Sequence, residues 1–105
     1  MTVAQAGDAV AEGVDIDAVA AAVEGCPSVD ALVGGPPAMA ATYLPGRRVE
    51  GVRVDGDTVT VQVSLCYGST VARLAREVQR AVSGLVTPRR VDIVVADVSE
   101  PSTGM

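Results

Sequence analysis

The segment VEGVRVDGDTVTVQVSLCY, residues 49–67, carries the strongest structural signal in the chain. Two stretches of alternating apolar and polar residues flank Asp55-Gly56, a dipeptide that accepts the positive φ angles of a tight turn. The segment therefore predicts a β-hairpin over about residues 49–66, with one apolar and one polar face. The apolar face comprises Val52, Val54, Val59, Val61, Val63 and Leu65, and the polar face comprises Arg53, Thr58, Thr60, Gln62 and Ser64.

Two amphipathic segments predict helices that cover this apolar face. The first spans about residues 15–25, where Asp15 can cap the exposed N–H groups and Gly25 can end the helix. The second spans about residues 70–86 and begins after two hydroxyl residues that can cap it. Apolar residues follow helical spacing along this second helix. They are Val71, Leu74, Ala75, Val78, Val82 and Leu85.

Shorter apolar stretches predict the remaining strands. Residues 29–33 predict an edge strand, and residues 38–44 fit a short strand and a helical turn equally well. VDIVVADV, residues 91–98, is rich in β-branched residues and too short for another helix, so it predicts a strand. Its apolar side chains alternate onto both faces, which either a central position in the sheet or a contact between subunits would explain.

The fold class that follows is α+β. We expect a small two-layer domain in which a mostly antiparallel or mixed sheet of about three to four strands is covered by the two helices. A chain of 105 residues suits a single domain. We expect that domain to span residues 13–98, with a flexible N-terminal segment at residues 1–12 and a C-terminal tail at residues 99–105.

The composition excludes most catalytic and metal chemistry. The sequence has no histidine and no lysine, which excludes Ser-His-Asp and Cys-His catalysis, the common zinc sites, the P-loop and Schiff-base chemistry. Asp55-Gly56-Asp57 has the start of a calcium loop without its other ligands, so a turn explains it better. Cys26 and Cys66 lack a CxxC spacing and are predicted to be free thiols. We therefore expect no enzyme, no cofactor and no metal site.

Arginine is the residue type whose placement indicates a function. Arg73, Arg76 and Arg80 lie on one face of the second predicted helix, opposite its apolar residues. Glu77 is close enough in sequence to pair with Arg73 or Arg80. If it does so, the row is a solvated helix face with an ion-pair ladder and needs no partner.

The alternative hypothesis is that these arginines dock an acidic surface. That surface could belong to another protein or to the front half of a neighbouring copy, where six carboxylates precede Arg47 without any basic side chain. Those carboxylates are Asp8, Glu12, Asp15, Asp17, Glu24 and Asp30. The candidate partner-binding residues are Arg73, Arg76, Arg80, Arg89 and Arg90, with Arg47 and Arg48 as further candidates.

Several motifs, taken in order, resemble the alkaline-shock protein family, also called the envelope-stress-response family. The resemblance covers about residues 16–98 and implies a small cytoplasmic α+β domain with no known enzymatic activity. It further implies that the protein assembles, or is held at the membrane by partner proteins, and that it is linked to the response to envelope stress. The resemblance supplies no catalytic residues. The motifs are the helix and break at 18–29, YLPGRRVEGVRV at 43–54, Tyr67-Gly68, VARLAREVQRAV at 71–82 and VDIVVADV at 91–98.

Two functional hypotheses follow. The first is a non-enzymatic interaction or scaffold protein that is linked to envelope stress and forms homo-oligomers. Its contact surfaces would be the arginines and the polar hairpin face, which comprises Arg53, Thr60, Gln62 and Ser64. The alternative is a small nucleic-acid-binding α+β domain that uses the arginine row. A net charge of −5 and the scarcity of aromatic residues argue against that alternative.

The sequence also gives an expectation for localisation. It has no charged n-region followed by an apolar h-region, and no apolar run long enough to span a bilayer. We therefore expect a cytoplasmic protein that does not insert into the membrane directly. Any position at the membrane periphery would then come from a membrane-anchored protein partner.

Overall fold

The computed structural model describes residues 10–100 of the chain, which contain two helices and eight strands. The helices are α1 (Ile16–Glu24) and α2 (Val71–Val86). The strands are β1 (Val10–Ala11), β2 (Val14–Asp15), β3 (Val29–Leu32), β4 (Ala41–Leu44), β5 (Arg47–Glu50), β6 (Val52–Asp55), β7 (Thr58–Leu65) and β8 (Arg90–Val98). The fold is the α+β class predicted from the sequence, with both helices within one residue of the predicted bounds.

Strand β7 lies at the centre of the main sheet. Strand β8 runs parallel to β7 along its whole length, from Thr58 to Leu65. The other edge of β7 is shared by β6 and β3, which both run antiparallel to it and pair with its first and second halves. The sheet is therefore mixed, with β8 on one side of β7 and two shorter strands on the other.

The hairpin turn lies one residue later than the sequence predicted. Asp55 pairs with Thr58, so Gly56 and Asp57 form a two-residue loop. Gly56 has a φ of +59°, while Asp57 keeps a negative φ. A two-residue turn that needs a positive φ only at its first position is of type II′, where glycine is preferred. The predicted Asp55-Gly56 turn pair is therefore corrected to Gly56-Asp57.

The hairpin is also shorter at its start than the predicted bound of residue 49. Val49 and Glu50 belong to β5, which pairs with β4 in a separate two-stranded sheet. Gly51 separates the two ribbons with a φ of +91°. A Cβ atom at this position would lie 2.8 Å from the Leu32 side chain, so only glycine fits without a shift of its neighbour.

Both helices begin with a capping side chain. Asp15 Oδ1 accepts a hydrogen bond from the Ala18 N–H at 3.0 Å, and Thr70 Oγ1 accepts one from the Arg73 N–H at 3.1 Å. These bonds satisfy N–H groups that the first turn of a helix leaves without partners. The two predicted starts are correct because a hydroxyl or carboxylate stands directly before each apolar stripe.

The helices cover the apolar face of the hairpin. Leu74 and Val78 on α2 are fully buried against that face. Two residues of the predicted stripe differ, since Val71 and Leu85 are 55% and 39% exposed. Both lie at the ends of α2, and in the last turn Val86 takes the buried position instead. All six apolar residues predicted for the inner hairpin face are buried, namely Val52, Val54, Val59, Val61, Val63 and Leu65.

The segment that fitted a strand and a helical turn equally well contains both kinds of structure. Residues 38–39 belong to a turn, and β4 follows from Ala41. Strands β4 and β5 pair antiparallel on either side of Pro45-Gly46. The predicted edge strand at residues 29–33 is β3, which pairs with the second half of β7.

The ends of the chain fall partly outside the described residues. Residues 1–9 and 101–105 lie outside them, so most of the predicted flexible segment and tail is not described. Val10 and Ala11, which we expected to belong to the flexible segment, form β1 and pair with β2. Within residues 10–100, no helix combines the length and the apolar character needed to cross a membrane.

Candidate interaction surface

Helix α2 presents an arginine row on the side opposite its buried residues. We use the term arginine row for Arg73, Arg76 and Arg80, which are all exposed. Their spacing of three and four residues places them on one helix face. Among residues 10–100, none of these three guanidinium groups forms an ion pair. The row therefore presents three positive charges without internal neutralisation.

Glu77 does not pair with this row, contrary to one of the sequence predictions. Its Oε1 accepts a hydrogen bond from the Ser28 N–H at 2.9 Å, and its Oε2 accepts one from the Ser28 hydroxyl at 3.1 Å. Ser28 is buried, so this carboxylate satisfies a backbone N–H that water does not reach. The predicted ion-pair ladder is wrong because its acidic residue, Glu77, accepts hydrogen bonds from Ser28 in the loop before β3 instead.

A shallow apolar groove of about 350 Å³ lies beside the row, between α1 and α2. Small side chains form its floor, and Arg80 and Glu77 stand at its α2 side. Sequence reasoning did not identify this groove. The available signal was the group of small residues at the end of α1, namely Ala21, Ala22 and Gly25. The lining residues are Ala21, Ala22, Gly25, Cys26, Pro27, Glu77, Arg80 and Ala81.

The thiol in this groove is not suited to nucleophilic chemistry. Cys26 is buried, and its Sγ lies 3.5 Å from the carbonyl oxygen of Ala22. Burial, with a contribution from the negative charge of Glu77, raises the pKa of the Cys26 thiol. A raised pKa keeps the group protonated near neutral pH, and the thiolate is the reactive form. Cys26 and Cys66 are both free thiols.

Arg89 and Arg90 do not extend the row. The Arg89 guanidinium donates hydrogen bonds to the carbonyl oxygens of Gly56 and Glu12, and so ties the hairpin turn to the β1–β2 turn. Arg90 Nε lies 3.6 Å from an Asp92 carboxylate oxygen, on β8. Of the five predicted partner-binding residues, the structure brings together only the three on α2.

The neighbouring arginines at the start of β5 also have partners. Arg47 makes two hydrogen bonds to the Asp17 carboxylate, at 2.7 and 3.0 Å, and these hold the pKa of Asp17 below its ordinary value. Arg48 pairs with Glu50, and a hydrogen bond with Tyr43 is the main cause of the raised pKa of Arg48. Both arginines therefore have acidic partners within the same molecule.

The acidic front half offers few carboxylates to a neighbouring copy. Asp8 lies outside the described residues. Asp15 caps α1, Asp17 is held by Arg47, and Asp30 accepts a hydrogen bond from the Ser64 hydroxyl at 3.1 Å. These carboxylates are used for intramolecular contacts. Glu12 and Glu24 are exposed, and neither carboxylate forms such a contact within residues 10–100.

The polar face of the hairpin is not a contact surface, which corrects the prediction made for it. Thr60, Gln62 and Ser64 are all buried. Gln62 Oε1 accepts a hydrogen bond from the Ala38 N–H at 2.8 Å. Arg53, the fourth predicted residue, donates to the Ala38 carbonyl oxygen at 2.6 Å and is half-buried.

The Gln62 side chain holds residues 33–38 over this face. Its Nε2 lies within hydrogen-bonding distance of three carbonyl oxygens, those of Val33 at 3.0 Å, Gly34 at 2.9 Å and Gly35 at 3.0 Å. A single amide thus satisfies backbone groups of a loop that forms no strand or helix of its own. Gln62 packs internally because it serves this loop, whereas the Ser64 hydroxyl bonds Asp30 on β3.

The described residues contain no group of three or more side chains that could hold a metal ion. Comparisons of the chain with models of protein families, with curated proteins and with solved structures gave no match. The resemblance to the envelope-stress-response family therefore rests on the sequence motifs alone.

Proposed function

We propose that this protein is a non-enzymatic cytoplasmic interaction or scaffold protein of the envelope-stress-response type, which acts through protein–protein contacts. The observation that supports the proposal is the arginine row on α2, whose three charges have no ion-pair partner among residues 10–100. Exposed arginines left without internal partners beside an apolar groove match the composition of protein interfaces, in which arginine is enriched. The link to envelope stress comes from the sequence resemblance.

The chemistry of the surface defines the kind of partner. The groove between the helices has an apolar floor of small residues, and Arg80 stands beside it. A partner segment that carries apolar side chains on one side and carboxylates on the other would fill the groove and neutralise the row. An amphipathic acidic helix or strand meets that description. A membrane-anchored protein bearing such a segment would bring this domain to the membrane periphery.

A second candidate function is the binding of a nucleic acid. The arginine row would suit a phosphate backbone, and Tyr43 and Tyr67 are 75% and 65% exposed, so they are available for base stacking. Against this, the net charge of −5 opposes general attraction to phosphates. Filter binding of RNA at low salt, with Arg80→Ala as the variant, separates this function from protein binding.

Affinity purification from the protein's own host, with and without envelope stress, tests the leading proposal. Three baits are compared after nuclease treatment: wild type, Arg76→Glu, and Arg48→Glu as the control. Both substitutions change the net charge equally at exposed arginines. We expect wild type and Arg48→Glu to retain the same protein and Arg76→Glu to lose it. The proposal is contradicted if nuclease treatment abolishes retention of the partner protein, or if all three baits retain it equally.

A further inference from the structure

The outer edge of β8 is unpaired along the strand. Among the described residues, β8 pairs with no strand except β7. The Arg90 N–H donates to the Asp57 carbonyl oxygen at 2.7 Å, so alternate residues of β8 direct their backbone groups toward β7. The residues between them, Val91, Ile93 and Val95, direct their N–H and C=O groups away from the sheet. One contact reaches this edge, from Gln79 Nε2 to the Val91 carbonyl oxygen at 3.4 Å.

A β-bulge changes which side chains share a face of β8. Val95 pairs with Val63, but Asp97 pairs with Ser64, so Ala96 is an extra residue. The bulge places Asp97 on the same face as Arg90, which an uninterrupted strand of period two would not do. That face carries Arg90 at one end of the strand, Asp97 at the other, and Asp92 next to Arg90. Such a strand is electrostatically complementary to an antiparallel copy of itself.

We propose that two copies of this chain pair through β8, antiparallel and edge to edge, about a two-fold axis at Ile93. The two sheets then form one continuous sheet. In this register Arg90 lies opposite Asp97 of the second copy, at both ends of the interface. Val91 lies opposite Val95 of the second copy, and Ile93 faces its own counterpart. The residues that direct N–H and C=O groups outward are therefore paired with one another.

The charges of β8 select this register against its neighbours. Shifting one β8 strand by one residue relative to the other would bring the apolar face of one copy next to the polar face of the other, so only shifts by two residues are allowed. A shift by two in one direction places Asp92 opposite Asp92 of the second copy. In the other direction Asp92 meets Asp97 of the second copy. Both alternatives bring like charges together, which destabilises a strand pair.

The apolar content of β8 supports the same interface. The sequence left two explanations for apolar side chains on both faces, a central position in the sheet or a subunit contact. The structure places β8 at the edge of the sheet, which removes the first explanation. Val91, Ile93 and Val95 are only half-buried by the helices above them. A second copy would extend that apolar layer from both sides, because Val91, Ile93 and Val95 of each copy meet across the axis.

This inference goes beyond the proposed function and does not depend on it, and a cysteine cross-link tests the geometry. In the proposed register the two Ile93 Cα atoms are about 5.5 Å apart, which a disulfide can span. Ile93→Cys should therefore form a disulfide-linked dimer under mild oxidation, with the linked peptide identified by mass spectrometry. Val98→Cys is the control, since Val98 is 49% exposed but its counterpart would be about 25 Å away. Cross-linking at Val98 and not at Ile93 overturns the proposal.

Charge reversal gives a second test that leaves the apolar residues intact. Sedimentation velocity should show a dimer for wild type and a dimer dissociation constant about tenfold higher for Arg90→Glu. The double variant Arg90→Glu/Asp97→Arg should regain the wild-type dissociation constant. Arg76→Glu should leave the dimer unchanged. A wild-type monomer at every concentration, or a dimer lost in Arg76→Glu and kept in Arg90→Glu, overturns β8 pairing. Either result leaves the affinity purification, and with it the proposed partner binding, to be judged separately.

Discussion

The Glu77 carboxylate accepts two hydrogen bonds from Ser28, which lies 49 residues earlier in the chain. This contact joins the middle of α2 to the loop between α1 and β3. It also removes the acidic member from the helix face that carries Arg73, Arg76 and Arg80. One carboxylate therefore joins α2 to the loop that follows α1 and leaves the arginine row without an ion-pair partner.

Removing this carboxylate should destabilise the fold. Glu77→Ala leaves the buried Ser28 N–H without its partner, and we expect the free energy of unfolding to fall by about 2–3 kcal/mol. Glu24→Ala is the control, since Glu24 is exposed on α1, and its effect should stay within about 0.5 kcal/mol. Urea unfolding followed by circular dichroism measures both. Equal effects of the two substitutions would show that the Ser28 contact contributes no stability.

Gln62 should be a stronger determinant of stability than any exposed polar residue. Gln62→Leu keeps a similar volume but leaves the Ala38 N–H and the carbonyl oxygens of residues 33–35 without their amide partner. We expect a loss of about 3 kcal/mol in the free energy of unfolding. Gln79→Leu, on the exposed face of α2, should change it by less than about 0.5 kcal/mol. Similar unfolding midpoints for the two variants would contradict the internal role of Gln62.

The ion pair between Arg47 and Asp17 should give a pH-dependent contribution to stability. The folded state lowers the pKa of Asp17 below the ordinary value of 3.8. The contribution is therefore complete above that value and is lost as the pH falls through the lower folded pKa. NMR titration of the Asp17 carboxyl group should show the low pKa in wild type and a return toward 3.8 in Arg47→Ala. An identical titration in both proteins would contradict the pairing.

Cys26 should react slowly with alkylating reagents. Burial raises the pKa of its thiol, so the thiolate is scarce at pH 8, while Cys66 is only half-buried. Iodoacetamide at pH 8 should modify Cys66 first, as measured by peptide mass spectrometry. Above pH 9 the stability contributed by the protonated Cys26 should decrease, and the unfolding midpoint of wild type should fall more than that of Cys26→Ala. Faster modification of Cys26 than of Cys66 would contradict this account.

The sequence predicted the elements whose periodicity is plain. The alternation of valine and polar residues in β6 and β7, and the spacing of Leu74, Val78 and Val82 in α2, each reflect a single apolar face. Asp15 and Thr70 fixed the helix starts because capping side chains act locally. Local signals of this kind do not depend on which element packs against which, and the structure confirms them.

Three features could not be predicted because they depend on distant parts of the chain. Period two assigns Gln62 to the polar face of β7 but does not reveal that residues 33–38 cover that face. Helical spacing places Glu77 near two arginines, whereas its partner Ser28 belongs to another element. The apolar content of β8 indicates burial, yet only the topology shows that this strand lies at the edge of the sheet.

The central claim is that the arginine row on α2 binds an acidic partner protein. The most direct measurement is elution of the captured partner in a salt gradient from immobilised wild type, Arg76→Glu and Arg48→Glu. We expect wild type and Arg48→Glu to release the partner at the same elevated salt concentration, and Arg76→Glu to release it at low salt. Elution of the partner from all three proteins at one salt concentration would contradict the claim.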